Sequence, residues 1–185
     1  MDLTSRILDA IYPRNNGIIA IDGRAASGKT SIANGLCDML DASIIRMDDF
    51  FLPPELKTAQ RLSQPGGNIH HERFIDDVLP YLKSGLSFKY RKFDCSKMGY
   101  NDILVDVPSR PWRIVEGVYS CHPALGEYMN LRVFVNVTPQ EQQSRIKKRN
   151  SEQIASMYLE KWIPMEEAYF KAYSIHESAD IIIET

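Results

Sequence analysis

The sequence predicts an α/β fold of the P-loop NTPase type, a three-layer sandwich with helices on both faces of a mostly parallel sheet. Residues 23–30 read Gly-x-x-x-x-Gly-Lys-Thr and stand between a short apolar run and a helical pattern. Short apolar runs alternate with helical patterns along the rest of the chain, as they do where parallel strands are joined by crossover helices. The length of 185 residues suits a single domain, 1–185, with a small insertion.

The first quarter of the chain predicts two helices and two strands. Apolar residues recur at helical spacing over 2–12, and Pro13 ends that helix. Residues 17–21 are nearly all apolar, which is typical of a central parallel strand buried on both faces. A helix follows over 30–40, and a second strand over 43–47.

The middle of the chain predicts an insertion over about 52–107 that binds the acceptor of the reaction. Residues 52–70 are rich in Pro, Gly and Gln without a clear period, which favours a binding loop. Residues 71–83 have a helical pattern that Pro80 kinks or shortens. Residues 87–107 alternate loosely and predict short strands or a hairpin.

The last third returns to alternating strands and helices. Apolar runs predict core strands over 113–118, 131–137 and 179–184. A helix is expected over 139–150, with Thr138 as its cap and a proline in its first turn. Residues 152–174 are largely helical and interrupted near Pro164.

The composition is that of an ordinary soluble globular protein, with 44% apolar and 25% charged residues. The net charge of −2 provides no electrostatic basis for binding nucleic acid or a membrane surface. The three cysteines have no metal-type spacing and suggest structural thiols in a reducing compartment. The charged, amphipathic start is not a signal peptide. We therefore expect a cytoplasmic protein without nucleic-acid or membrane partners.

The glycine-rich loop predicts a bound nucleoside triphosphate. Gly23 and Gly28 permit backbone angles that let successive N–H groups point at phosphate oxygens. Lys29 supplies a positive charge, and the hydroxyl of Thr30 is placed to hold Mg²⁺. The expected nucleotide contacts are Gly23, Arg24, Ala25, Ala26, Ser27, Gly28, Lys29, Thr30 and Ser31. The alternative interpretation is a glycine turn that only caps a helix.

Carboxylates follow the second and third core strands, whose ends face the same side of the sheet as the loop. Asp48 is the candidate base that orients the acceptor hydroxyl, and Asp49 ranks second because its side chain should point away. Glu116 follows a buried strand and is the candidate to bind Mg²⁺ through water. We expect Thr30, Asp48 and Glu116 to surround the metal. Turn or capping roles are the alternatives for both acidic positions.

Basic and polar side chains complete the candidate site. Arg145 and Arg149 lie four residues apart on one helix face and could close over the phosphates as a lid over about 140–153, or form a solvated basic face. His71, with His70 beside it, has no ligand spacing for a metal and is more simply a loop histidine. Asn68 and Arg73 flank the histidines and could contact the acceptor.

Several motifs in order resemble the uridine kinase and phosphoribulokinase-like group of P-loop kinases, within it small bacterial uridine kinase-like proteins. Matching segments are Ile21–Gly23 leading into Ser27–Thr30, Met47–Phe51, Asn68–Phe74, Glu116–Tyr119 and Val133–Asn136 running into the arginines. The resemblance covers nearly the whole chain. It implies a five-stranded parallel sheet, transfer from ATP with Mg²⁺ to a nucleoside 5′-hydroxyl, and frequent homo-oligomers.

The resemblance also implies roles for particular residues. It assigns catalysis to Asp48, phosphate and metal contacts to Lys29 and Thr30, and lid roles to Arg145 and Arg149. The predicted acceptor contacts are Asp48, Phe51, Asn68, His71, Arg73, Tyr90, Asp94 and Glu116.

The sequence departs from the family pattern at three places. Asn136 stands where many relatives have Asp, and Ala26 replaces a loop glycine. The segment 90–95 resembles the family's Tyr-Asp-Phe stretch but is not followed by its histidine.

Three hypotheses follow. The first is a uridine or cytidine kinase. The second is a kinase for another small alcohol, such as a sugar phosphate, pantothenate or a nicotinamide nucleoside. The third is a nucleotide-binding regulatory protein that has lost transfer, against which the intact set of charged residues argues. A guanine-reading Asn-Lys-x-Asp motif is missing from the sequence, which argues against a switch GTPase.

Overall fold

A computed structural model describes residues 3–185, and an all-parallel sheet forms its centre. The strands in chain order are β1 (Gly17–Gly23), β2 (Ala42–Arg46), β3 (Phe88–Asp94), β4 (Gly99–Val107), β5 (Trp112–Glu116), β6 (Leu131–Asn136) and β7 (Ile181–Glu184). Five of them pair in the order β2-β5-β1-β6-β7, and β3 and β4 form a separate antiparallel hairpin. The glycine-rich loop thus leaves the central strand, with the ends of β2 and β5 on one side.

Helices cover the sheet, and three short ones lie in the insertion. They are α1 (Leu3–Ile11), α2 (Lys29–Met39), α3 (Ala59–Leu62), α4 (His71–Asp77), α5 (Leu79–Ser84), α6 (Pro139–Arg149), α7 (Glu152–Met157) and α8 (Ile163–Tyr173). Single 3₁₀ turns lie at Met47–Phe50, Pro54–Leu56 and Pro123–Leu125. A π-helical segment, Tyr158–Trp162, joins α7 to α8.

Two hydrophobic clusters pack on opposite faces of the sheet. Side chains alternate along β1, so Ile19 and Ile21 face the cluster that contains α1 and α2, and Ala20 faces the other. All three are fully buried, which confirms that β1 is a central strand covered on both faces. The cluster that contains Ala20 extends into the insertion at Phe74, whose ring centroid lies 5.1 Å from that of Phe50.

The predicted elements are confirmed, with local differences. β1 runs two residues further, to Gly23, because it also pairs with β6. The helix predicted over 71–83 is two helices that break at Val78, and Pro80 lies in the first turn of the second. Near Pro164 the chain forms the π-helical segment just before α8. Residue 2 of the first predicted helix lies outside the described residues.

Candidate active site

The glycine-rich loop leaves β1 in a conformation that its glycines make possible. Gly23 has φ 133°, and a Cβ there would stand 2.1 Å from the carbonyl oxygen of Val135 on β6. Gly28, just before α2, has φ 94° in the left-handed region. Ala26 also has a positive φ, 58°, at the position where the family resemblance expects glycine. Two glycines and one strained alanine therefore form the turn between β1 and α2.

The ammonium group of Lys29 lies against the loop itself. Its Nζ donates to the carbonyl oxygens of Gly23 at 2.8 Å and Arg24 at 2.7 Å, and the residue is buried. Two carbonyls satisfy two of its three donors. The positive charge is thus fixed beside the loop, where it can attract an anionic ligand.

Thr30 and Glu116 come together although they are 86 residues apart in the chain. The Thr30 hydroxyl donates to Glu116 Oε1 at 3.2 Å, and Arg46 donates to the same oxygen at 2.5 Å. Burial raises the pKa of Glu116, and Arg46 is the largest influence in the opposite direction. Hydroxyl and carboxylate oxygens are the ligands that Mg²⁺ takes, so this pair fits the predicted metal.

The two aspartates after β2 occupy different surroundings. Asp49 is buried and accepts a hydrogen bond from the Tyr90 hydroxyl at 2.8 Å, with the Lys92 ammonium 3.4 Å away. Asp48 is accessible to solvent. Surrounding protein atoms nevertheless desolvate its carboxyl and raise its pKa, and Lys29 is the largest opposing influence. Asp49 is thus engaged by the hairpin, and Asp48 is the carboxylate open to a ligand.

The two arginines of α6 differ in what they contact. Arg145 donates to the carbonyl oxygen of Ala26 at 3.3 Å and to the Thr185 hydroxyl at 3.0 Å. Arg149 lies over the ring of Tyr158, 5.6 Å from its centroid. The structure therefore brings Arg145 to the glycine-rich loop and holds Arg149 against the π-helical segment.

Five of the eight predicted acceptor contacts lie on the insertion, and Phe51 directly precedes it. Phe51 pairs with Ile69 through an isolated bridge, which holds the start and end of the irregular loop together. His71 stacks on His122, with ring centroids 5.2 Å apart. Asn68 is half-buried, and its backbone carbonyl oxygen accepts from the Leu52 N–H at 2.9 Å.

Arg73 and Asp94 have structural partners. The guanidinium of Arg73 lies 4.3 Å from the ring centroid of Phe50 and donates to the carbonyl oxygen of Asp49. Asp94 accepts hydrogen bonds from Ser96 in the hairpin turn, which lower the pKa of its carboxyl. In the described part of the chain, neither side chain forms a direct hydrogen bond to Asp48.

Asp22 is a buried junction that was missing from the predicted site. Its carboxylate accepts from the backbone N–H groups of Gly23, Tyr119 and Cys121 and from the Tyr169 hydroxyl, at 2.7–3.2 Å. Burial raises the pKa of Asp22, and the bonds from Cys121, Gly23 and Tyr169 oppose the rise. The visible signal was a single carboxylate in an otherwise apolar strand. Asp22 joins the start of the loop to the segment after β5 and to α8.

The start of α8 also contacts the loop, and no sequence signal indicated it. Glu166 Oε2 accepts a hydrogen bond from the N–H of Ala25 at 3.0 Å. The next residue, Glu167, forms an ion pair with Arg24. From α6, the buried side-chain amide of Gln142 donates to the Ala25 carbonyl at 3.1 Å.

Residues 3–185 contain no group of three or more His, Cys, Asp or Glu side chains that could hold a metal by themselves. Mg²⁺ in phosphoryl-transfer sites takes one or two protein ligands together with phosphate oxygens and water, so the Thr30 and Glu116 pair needs no such group. In the same range, helices are too short or too polar to cross a membrane.

No protein-family model matches the sequence, and no curated protein matches it significantly. Solved structures do match it. A possible uridine kinase from Bacillus stearothermophilus has a TM-score of 0.70 at 17% identity and covers 98% of this chain and 95% of its own. A proposed fructose transport system kinase from Silicibacter sp. TM1040 has a TM-score of 0.63 at 20% identity, with 98% of each chain covered.

A third match is YFH7 from Saccharomyces cerevisiae, proposed to be a P-loop kinase with a circular permutation. Its TM-score is 0.58 at 11% identity, covering 100% of this chain and 96% of its own. At these identities the likeness establishes the fold. The prediction of a P-loop α/β fold with a five-stranded parallel sheet is confirmed, and the structural neighbours are uridine kinase-like and other P-loop kinases.

Proposed function

We propose that this chain is an ATP-dependent phosphotransferase that passes the γ-phosphoryl group to a hydroxyl of a small-molecule acceptor. One observation carries the proposal. The loop lysine Lys29, the pair of Thr30 and Glu116, and the solvent-accessible Asp48 lie at the ends of three adjacent parallel strands. These are the parts that phosphoryl transfer needs: a phosphate cradle, oxygen ligands for a metal, and a carboxylate for the acceptor hydroxyl.

The loop and Lys29 bind the phosphates. Backbone N–H groups and the positive end of α2 favour an anion, and the Lys29 ammonium exchanges its loop carbonyls for phosphate oxygens. Thr30 and Glu116 would hold the magnesium ion, Glu116 through water. When bound, Mg²⁺ neutralises charge on the phosphate oxygens. Arg145, already on the loop, adds a second cation beside the transferred group.

Asp48 orients the acceptor hydroxyl and accepts its proton. The acceptor oxygen forms a bond to the γ-phosphorus while the bond to the ADP oxygen breaks, and the hydroxyl proton goes to the Asp48 carboxylate. Desolvation raises the pKa of Asp48. A raised pKa makes a carboxylate a better proton acceptor, as long as it stays ionised at the working pH.

For the acceptor, we propose the 5′-hydroxyl of uridine or cytidine. Support comes from the order of family-like motifs in the sequence and from the similar fold of the possible uridine kinase. A sugar is the main competitor, because the proposed fructose transport system kinase has a comparable fold likeness. A cytoplasmic location agrees with Cys37, Cys95 and Cys121, which are all free thiols.

The test is ADP release from MgATP with a panel of uridine, cytidine, other nucleosides, fructose, sugar phosphates and pantothenate. Phosphorylation of uridine or cytidine supports the nucleoside proposal, whereas turnover of a non-nucleoside alone contradicts it and leaves the kinase proposal in place. No turnover of any acceptor contradicts the kinase proposal.

Asp48→Asn tests the role of the base. We expect kcat to fall by about 10²–10⁴-fold, because the amide cannot accept the proton. Affinity for the non-transferable analogue Mg·AMP-PNP should stay within a few-fold of wild type. Asp76→Asn is the matched control, since Asp76 is exposed on α4. Unchanged turnover in Asp48→Asn would remove Asp48 from catalysis.

A further inference from the structure

Glu166 places a carboxylate on the phosphate-binding loop. The residue is only 6% exposed, and its Oε2 accepts the Ala25 N–H at 3.0 Å. The N–H groups of this loop are the donors that a nucleotide phosphate would use. A carboxylate and a phosphate are both anionic acceptors, so the two compete for the same donor.

The groups that face Glu166 come from every element around it. Lys29 attracts it, Asp22 and Asp48 repel it, and Arg24, Tyr119 and Tyr158 lie within its electrostatic range. Burial raises the pKa of Glu166 to about 7, against the attraction of Lys29 and the bond from Ala25. This carboxylate is thus held on the loop by a direct backbone bond although its surroundings disfavour its charge.

A second contact fixes the same turn of α8. Glu167 forms an ion pair with Arg24, so adjacent residues of the helix hold adjacent residues of the loop. The π-helical segment Tyr158–Trp162 lies directly before α8. Segments of this type occur frequently at functional sites and are less regular than an α-helix. The start of α8 is therefore docked on the loop through Glu166 and Glu167, and it directly follows an irregular segment.

We propose that, in the nucleotide-free protein, the Glu166 carboxylate occupies the position of a phosphate group on the loop. Phosphate binding then displaces this carboxylate and the start of α8. The inference rests on the proposed nucleotide binding and assigns the loop an autoinhibitory contact. It goes beyond the transfer reaction, in which Glu166 has no part.

Displacement has a consequence for protons. On the loop Glu166 has a pKa of about 7, and in water a glutamate returns to its ordinary value near 4.5. Between these values the docked carboxyl holds a proton that the displaced one gives up. Nucleotide binding at pH 6 should therefore release close to one proton from Glu166, and almost none at pH 8.5.

The experiment is titration calorimetry of the full chain with Mg·AMP-PNP, in pairs of buffers with different ionisation enthalpies. Glu166→Gln keeps the size and one acceptor oxygen but removes the competing charge. We expect its affinity to rise by about tenfold at pH 8. At pH 6 it should lose the proton release seen in wild type. Glu160→Gln is the matched control, because Glu160 lies on the neighbouring π-helical segment and its carboxylate accepts a hydrogen bond from the Ser156 hydroxyl instead of a loop N–H.

Other results of the calorimetry decide against the inference. Equal affinities for wild type and Glu166→Gln, or an equal gain in Glu160→Gln, would show that Glu166 does not occupy the phosphate position. No proton release at pH 6, or proton uptake at pH 8, would show that the carboxyl group stays beside the phosphate. If neither wild type nor Glu166→Gln binds the analogue, the proposed function fails as well. If binding behaves as expected but no acceptor turns over, the contact stands and only the transfer proposal fails.

Discussion

Four donors hydrogen-bond the two buried carboxylate oxygens of Asp22. Replacing Asp22 by asparagine removes one of these two acceptor oxygens. Oδ1 of Asp22 accepts from the N–H groups of Gly23 at 2.7 Å and Tyr119 at 3.2 Å. Oδ2 accepts from the Cys121 N–H at 3.0 Å and the Tyr169 hydroxyl at 2.9 Å. In the asparagine variant one oxygen can still serve two donors, but the amide NH₂ faces the other two.

The size of the effect follows from these four bonds. The Tyr169 hydroxyl can rotate and accept from the new amide, whereas the Cys121 N–H has no such freedom. One buried donor without an acceptor costs about 1–3 kcal/mol. Removing the charge recovers some desolvation energy, since burial raises the pKa of Asp22. We therefore expect Asp22→Asn to lower the free energy of unfolding by about 2 kcal/mol, or the Tm by about 4–8 °C.

Urea unfolding followed by far-UV circular dichroism at pH 7 measures the change. Asp76→Asn makes the same chemical change at an exposed site on α4 and should stay within about 0.5 kcal/mol of wild type. A similarly small effect of Asp22→Asn would refute the assignment of Asp22 as the buried acceptor that joins the loop to α8.

Three further predictions concern the loop. Lys29→Ala should abolish transfer and weaken Mg·AMP-PNP binding about tenfold or more in calorimetry, because the charge on the loop is lost. Gly23→Ala should cost about 3 kcal/mol in thermal unfolding, since its Cβ would stand 2.1 Å from the Val135 carbonyl. Because burial raises the pKa of Glu166 from 4.5 to about 7, the folded state holds its proton more tightly than the unfolded chain does. Wild-type stability relative to Glu166→Gln should therefore fall by about 3 kcal/mol as pH rises through this interval, in urea unfolding at pH 5 and 8.

Each of these results can fail clearly. If Lys29→Ala binds the nucleotide as tightly as wild type, the Lys29 ammonium stays hydrogen-bonded to its loop carbonyls when the ligand binds. Normal stability of Gly23→Ala would contradict the close approach of β1 and β6. A constant stability difference between wild type and Glu166→Gln across the pH range would show that Glu166 titrates as an exposed glutamate does.

The order of elements could be predicted because it depends on local pattern. The run Ile18–Ile21 and the motif at 23–30 are contiguous in the chain, so their spacing alone indicates strand, loop and helix. The ends of parallel strands meet at one edge of a sheet, which is why the strand pattern alone places Glu116 near Thr30. Their hydrogen bond agrees with that expectation.

The contacts inside the insertion and around α8 could not be predicted. Whether Asp48 or Asp49 is open to a ligand depends on Tyr90, which reaches Asp49 from the hairpin 41 residues later. Two adjacent carboxylates have the same chemistry, and only the packing of another element separates them. The Asp94 carboxylate likewise has the chemistry to contact the acceptor molecule, but it accepts hydrogen bonds from Ser96 in the hairpin turn.

By itself the sequence determined the fold class, the glycine-rich loop after β1 and the acidic residues at the strand ends, because each rests on short-range spacing or on parallel topology. Only the tertiary structure decided that Glu166 lies on the loop, 141 residues from Ala25. A glutamate in a helical pattern of mixed polarity predicts a solvated side chain, because such a pattern does not indicate which face of the helix packs against the protein. Burial and charge at such a position follow from how α8 packs, which no local pattern encodes.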